Sequence, residues 1–110
     1  MKVGIITFTD GRKRAADMLE KQCKEFQKAV ADWLRTEGHE PVEASEIVWN
    51  YRTAIESAGR MAEAKCDAVI FNFCVWAFPD FAAQSARDVH SADIPICFLG
   101  NINPGFPGWV

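Results

Sequence analysis

The chain has 110 residues, 49% hydrophobic and 25% charged, which is enough apolar surface to exclude disorder and enough length for one small domain. Its net charge of -3 argues against nucleic acid as a partner, because phosphate-binding proteins need a basic face and the cluster Arg12-Lys13-Arg14 is too short to provide one. Its apolar stretches are strand length and no secretory leader opens it, so the sequence predicts a cytoplasmic protein with no membrane partner.

Residues 3–8 form a short apolar, β-branched run that predicts a first strand buried on both faces. The turn residues Thr9-Asp10-Gly11 end this strand, and a long helix follows. Gly38 is suited to end that helix in the left-handed conformation, and Pro41 prevents it from resuming. Apolar residues recur along the helix at steps of three and four, which predicts one stripe facing a core: Leu19, Cys23, Phe26, Val30, Trp33 and Leu34.

The middle of the chain repeats the alternation of strand and helix. Residues 41–48 predict a second strand or extended segment. Asn50 is suited to cap a second helix that ends near Lys65, because its side chain can accept hydrogen bonds from the first turn. Residues 66–73 are strongly apolar and β-branched in their middle, and therefore predict a third strand.

Pro79 suits the first turn of a third helix, and residues 94–99 predict a fourth strand. The order β-α-β-α-β-α-β predicts an α/β fold of three layers, flavodoxin-like or Rossmann-like. Its parallel sheet has the strand order 2-1-3-4, with helices on both faces. Residues 1–110 are predicted to form a single domain. Because residues 101–110 contain two Pro-Gly steps and apolar residues with nothing to pack on, we expect this domain to continue into a longer protein.

The cysteines and histidines are scattered along the sequence. His39 and His90 stand alone, and no cluster of His, Cys and carboxylate residues has the spacing of a metal site. We therefore predict no metal site and no bound cofactor in this piece. The cysteines form no C-x-x-C pair and are predicted to be reduced, buried and hydrophobic in role: Cys23, Cys66, Cys74 and Cys97.

Ligands of open α/β sheets bind beyond the carboxyl ends of the strands, near the point where the strand order reverses. For the order 2-1-3-4 that point lies between the first and third strands. An indole ring stacks on the C–H face of a sugar, and Arg and Asn side chains donate hydrogen bonds to hydroxyl groups. The residues predicted to converge there therefore favour a polyhydroxylated ligand: Asp10, Arg12, Trp76 and Asn101.

The same residues also have purely structural interpretations. Arg12 is equally explained as a solvated charge at a helix start, and Asp10 as the residue that caps that helix. Trp76 could instead pack between domains. Trp33 and Trp49 are assigned to core or surface packing, because the predicted order puts them away from the ligand-binding edge.

The first strand, the turn Asp10-Gly11-Arg12 and the long helix resemble the start of the L-fucose and L-arabinose isomerase family. Residues 69–76, a strand ending in an aromatic loop, are similar to the family's third strand. The resemblance implies a flavodoxin-like first domain of an enzyme that interconverts aldoses and ketoses. In that family a divalent metal, usually manganese, polarises the sugar oxygens, and a pair of acidic groups moves protons through an enediol.

The resemblance also implies roles for particular residues. The family's metal ligands belong to later domains, so residues 1–110 would contain no catalytic residue and would be inactive alone. In the fucose enzyme the first domain lends an arginine and a tryptophan to the active site of a neighbouring subunit. On this sequence those roles fall on Arg12 and Trp76, which implies a sugar substrate and a homo-oligomer as partners.

Other classes of protein share parts of this pattern. The first lobe of a periplasmic-type or repressor-type sugar-binding protein has the same β-α-β start and a corner like Gly38-His39-Glu40-Pro41; it would bind without catalysis. A flavodoxin-like carrier is suggested by Thr7, Thr9 and Gly11, but Arg12-Lys13-Arg14 replaces the residues that usually end a phosphate loop. A response-regulator receiver is disfavoured because the third strand ends without an aspartate.

Overall fold

The computed structural model describes residues 1–74 and 77–100. It contains a four-stranded sheet of order β2-β1-β3-β4, in which every neighbouring pair is parallel. This confirms the predicted topology, with the first strand in the interior. The elements in chain order are β1 (Lys2–Phe8), α1 (Lys13–Thr36), β2 (Glu40–Glu43), α2 (Tyr51–Glu63), β3 (Ala68–Phe73), α3 (Pro79–Ser91) and β4 (Ile96–Gly100).

Successive side chains of a strand point to opposite faces of the sheet, and β1 divides its side chains between two cores. Val3 and Ile5 belong to a core shared with α1. Ile6 and Phe8 belong to a larger core shared with α2 and α3. The predicted three layers are therefore confirmed, with α1 on one face of the sheet and the other two helices on the opposite face. No helix within the described ranges is both long enough and apolar enough to cross a bilayer.

The helix ends follow the signals in the sequence. Gly38 has a φ of 85° just past the end of α1, where a left-handed residue lets backbone N–H groups reach the last carbonyls. Asn50 caps α2 with a reciprocal pair of hydrogen bonds to Thr53, and Pro79 occupies the first turn of α3.

The buried stripe of α1 differs from the predicted one. Cys23, Val30 and Leu34 are buried as expected, but Trp33 is 56% exposed and Ala31 takes its place against the sheet. A small side chain at residue 31 lets the helix approach the strands closely. Trp33 is therefore a surface residue.

The second strand is shorter than predicted. Pairing with β1 ends at Glu43, the chain bends at residues 45–46, and it returns to form a single parallel bridge between Val48 and Phe8. The N–H of Val48 donates to the Thr7 carbonyl at 2.8 Å, and the N–H of Thr9 donates to the Val48 carbonyl at 2.9 Å. This return places the residue after Val48 at the carboxyl edge of the sheet.

Candidate functional site

A cavity of about 300 Å³ lies at the carboxyl edge, between the turn that follows β1 and the start of α3. This is the place where the reversal of strand order predicts a ligand. Its walls combine a carboxylate, a guanidinium group and an apolar surface, contributed by Asp10, Arg12, Ala77, Phe78 and Pro79. Two of the four predicted site residues, Asp10 and Arg12, are thus brought together at the predicted edge.

Asp10 and Arg12 form a two-pronged ion pair. The Arg12 side chain donates from Nε to Asp10 Oδ1 at 2.9 Å and from Nη2 to Oδ2 at 2.5 Å, and the Arg12 backbone N–H donates to Oδ1 at 2.9 Å. These hydrogen bonds from Arg12, first from its side chain and then from its backbone, lower the pKa of Asp10 to about 2. The carboxylate is therefore ionised at neutral pH.

The two partners differ in their exposure to solvent. The Asp10 side chain is only 10% exposed, whereas that of Arg12 is 76% exposed. Asp10 does not cap α1, because the N–H it accepts is that of Arg12, the N-cap residue itself. The arrangement holds a guanidinium group at the surface in a fixed orientation, since a bidentate pair restricts both its position and its plane.

Gly11 lets this turn pack directly on α3. A Cβ atom at this position would lie 2.6 Å from ring atoms of both Phe78 and Phe81, a distance at which the rings would have to move. The ring centroids of Phe78 and Phe81 are 5.8 Å apart, and Tyr51 meets Phe81 edge to face at 5.0 Å. An aromatic wall therefore stands beside Arg12. Phe78 is a residue of this site that the sequence analysis did not single out.

The other two predicted ligand contacts, Trp76 and Asn101, lie outside the described residues. Their roles stay predictions. Ala77, the residue after Trp76, lines the cavity.

A second, smaller cavity of about 160 Å³ lies at the same edge, on the side of β2. Trp49 lines it, and the Lys13 ammonium lies 5.3 Å from the centroid of the Trp49 ring. Lys13 also forms an ion pair with Asp17. The expectation that Trp49 lies away from this edge is wrong, because the bridge between Val48 and Phe8 carries it there.

A third concavity, of about 390 Å³, runs along the exposed face of α1. Its lining includes Glu20 and Lys24, which form a surface ion pair at 3.1 Å with both side chains more than half exposed. It is a groove between solvated charges rather than a binding site, because water already hydrates exposed ion pairs of this kind.

Within residues 1–74 and 77–100, no group of three His, Cys, Asp or Glu side chains could hold a metal ion. Asp10, the carboxylate that lines the cavity of about 300 Å³, has both oxygens engaged by Arg12. The described residues therefore do not fit a divalent cation.

Comparison with known proteins gives one match. The family described as L-fucose isomerase, first N-terminal domain, matches residues 1–110, which is the whole chain. No curated protein and no solved structure matches it significantly. The chain therefore belongs to the family of first N-terminal domains of L-fucose isomerase, and the activity associated with it is that of a sugar isomerase.

Proposed function

We propose that this chain is the N-terminal domain of a metal-dependent aldose–ketose isomerase and that it contributes Arg12 to the binding of the sugar. The observation that carries the proposal is the pairing of a largely covered Asp10 with a 76% exposed Arg12 at the mouth of a cavity of about 300 Å³. Asp10 then acts as a positioning residue, and Arg12 as the residue that meets the ligand.

The chemistry of the guanidinium group supports this division of roles. It carries five N–H donors, and two of its nitrogens donate to Asp10. Among the described residues, the guanidinium group of Arg12 donates to Asp10. Its N–H donors that point away from Asp10 are therefore available for hydroxyl or carbonyl oxygens of a sugar. An arginine held on one side and exposed on the other loses little conformational entropy when it binds.

The aromatic wall supports a sugar in particular. Phe78 is 43% exposed and lines the same cavity as Arg12. A pyranose or an open-chain sugar presents C–H groups on one face and hydroxyl groups around its edge, which match an aromatic ring beside a cationic donor. In the proposal, Trp76 adds an indole ring that stacks on the sugar, and Asn101 adds an amide donor.

The remaining chemistry is assigned elsewhere in the parent enzyme. Because the described residues hold no metal set, the proposal places the divalent metal, manganese by resemblance, and the proton-transferring acids in other domains or in a neighbouring subunit. The domain would lie at an interface of a cytoplasmic homo-oligomer, with its carboxyl edge facing the partner's site. Family membership favours this function over a sugar-binding lobe or a flavodoxin-like carrier.

The test compares the parent enzyme with the 110-residue chain. With Mn²⁺ and L-fucose or L-arabinose, the parent should form the ketose and the purified chain should form none. Turnover by the chain alone would show a complete active site within it. A parent that binds these sugars without isomerising them would instead support the sugar-binding alternative.

A further inference from the structure

Two cysteines that are 51 residues apart in sequence meet beneath the carboxyl edge of the sheet. The Sγ of Cys74, directly after β3, lies 2.7 Å from the Sγ of Cys23, in the middle of α1. A disulfide bond measures about 2.05 Å, so a small movement of the two side chains would join them. Cys23 is fully buried, whereas Cys74 is partly exposed.

The fold itself produces this contact. Cys23 lies on the buried stripe of α1, and Cys74 continues the strand that pairs with the end of β1. The Cys74 thiol also lies 3.7 Å from the carbonyl oxygen of Phe8, the last residue of β1. Both sulfurs are thus fixed by packed elements rather than by a free loop.

The contact between the two thiols shifts their pKa values in opposite directions. Cys74 donates to Cys23, and this contact lowers the pKa of the Cys23 thiol to about 7 despite its burial. The same contact, together with burial, raises the pKa of Cys74. Thr9 is only 2% exposed, and its hydroxyl also helps to lower the pKa of Cys23. This hydroxyl has no hydrogen-bond partner of regular geometry in the described part of the chain.

We infer that Cys23 and Cys74 form a redox-active dithiol, which a low-molecular-weight disulfide such as glutathione disulfide converts into an intramolecular disulfide. A soft-metal site is disfavoured, because no third ligand stands near the pair within the described ranges and the sulfurs are too close to span a shared ion. Cys66, in contrast, is a purely structural thiol. Burial raises its pKa, and its neighbour is the Met61 thioether at 3.8 Å.

The reaction consists of two thiol–disulfide exchanges. Cys74, the more exposed of the two thiols, loses its proton, and its thiolate attacks one sulfur of glutathione disulfide. The S–S bond of glutathione breaks and one glutathione leaves as a thiol after taking a proton. The Cys23 sulfur, having lost its proton, then attacks Cys74 and releases the second glutathione. Two protein thiols are oxidised, and one glutathione disulfide is reduced to two thiols.

The linkage would fasten the end of β3 to the middle of α1. Cys74 stands four residues before Phe78, which lines the cavity beside Arg12, so the link would restrain the chain that leads to the candidate sugar site. It would also close a long loop in the unfolded chain, which should raise the melting temperature by roughly ten to twenty degrees.

The experiment uses the chain with Cys97→Ser, because exposed Cys97 would otherwise join molecules together. The reduced protein is equilibrated in glutathione buffers of increasing oxidised fraction, quenched with acid, unfolded, alkylated and mapped by mass spectrometry. We expect Cys23 and Cys74 to lose alkylation together while a cross-linked peptide containing both appears. Cys66 should remain alkylated throughout and serves as the control within the same molecule.

A Cys23→Ser variant should instead accumulate glutathione on Cys74, because no second thiol releases it. If that variant does not fold, the mass-spectrometric mapping of the Cys97→Ser chain decides alone. Absence of the cross-linked peptide at every buffer ratio, or a stable glutathione adduct on Cys74 while Cys23 stays free, would overturn the inference.

Discussion

Replacing Arg12 with alanine in the parent isomerase should lower kcat/KM without unfolding the domain. The guanidinium group is held by Asp10 through two side-chain hydrogen bonds, at 2.9 and 2.5 Å, and faces the cavity with 76% of its side chain exposed. A charged donor lost from a bound ligand typically reduces kcat/KM roughly ten- to a hundredfold.

The structure also sets the expected effect of this replacement on stability. The Arg12 side chain is exposed, and an exposed side chain has few core contacts to lose. Asp10 keeps the hydrogen bond from the backbone N–H of residue 12, which alanine retains. We therefore expect the melting temperature of Arg12→Ala to fall by only about a few degrees.

The assay is steady-state kinetics of the parent enzyme with Mn²⁺ supplied, together with a thermal melt of each variant. Arg14→Ala is the matched control, because Arg14 is a neighbouring exposed arginine of α1 and does not line the cavity. Arg12→Lys should recover only part of the loss, since an ammonium group cannot form the two-pronged pair with Asp10. An unchanged kcat/KM in Arg12→Ala, or an equal loss in Arg14→Ala, would refute the assignment of Arg12 to the sugar.

Further predictions concern the turn that holds Arg12. Asp10→Asn should lower kcat/KM in the parent by releasing the arginine. The same variant should also make the stability of the domain depend less on pH in acid. The pKa of Asp10 is lowered to about 2 from 3.8, so the stabilisation that its carboxylate gives the folded domain is complete above about pH 4 and is lost as the pH falls towards 2. Melting temperatures of both proteins across that window measure the difference, and parallel curves would contradict it. Gly11→Ala should destabilise the domain by about 1–3 kcal/mol, because its Cβ would overlap Phe78 and Phe81. Gly59→Ala is the control, because Gly59 lies in α2 with open space around the added atom; it should be neutral or stabilising by up to about 1 kcal/mol. Urea unfolding measures the free energy of unfolding of both variants, and equal effects would contradict the role assigned to Gly11.

The strand order and layers could be predicted because they depend on patterns that are local or nearly so. The apolar run of β1 indicates burial on both faces, and the alternation of strands with helices leaves few topologies open. Gly38, Asn50 and Pro79 act within one helical turn, and all three occupy the predicted positions. The contact between Asp10 and Arg12 is also local, since an aspartate commonly accepts from the N–H two residues later.

The features that sequence reasoning missed depend on long-range contacts. Trp49 reaches the carboxyl edge only because Val48 returns to pair with Phe8, 40 residues earlier in the chain. The meeting of Cys23 and Cys74 depends on where α1 crosses the sheet, which no short spacing in the sequence encodes. Roles for Trp76 and Asn101 remain predictions.

The central position of β1 has a consequence for synthesis on the ribosome. The strand that emerges first has to be flanked on one side by β2 and on the other by β3, whose last residue is Phe73. Until then Ile6 and Phe8 lack Val69 and Phe71, the members of their core that β3 supplies. A nascent chain that pauses before this point therefore presents an apolar strand with one edge unpaired, which is the kind of surface that chaperones bind and that seeds aggregation.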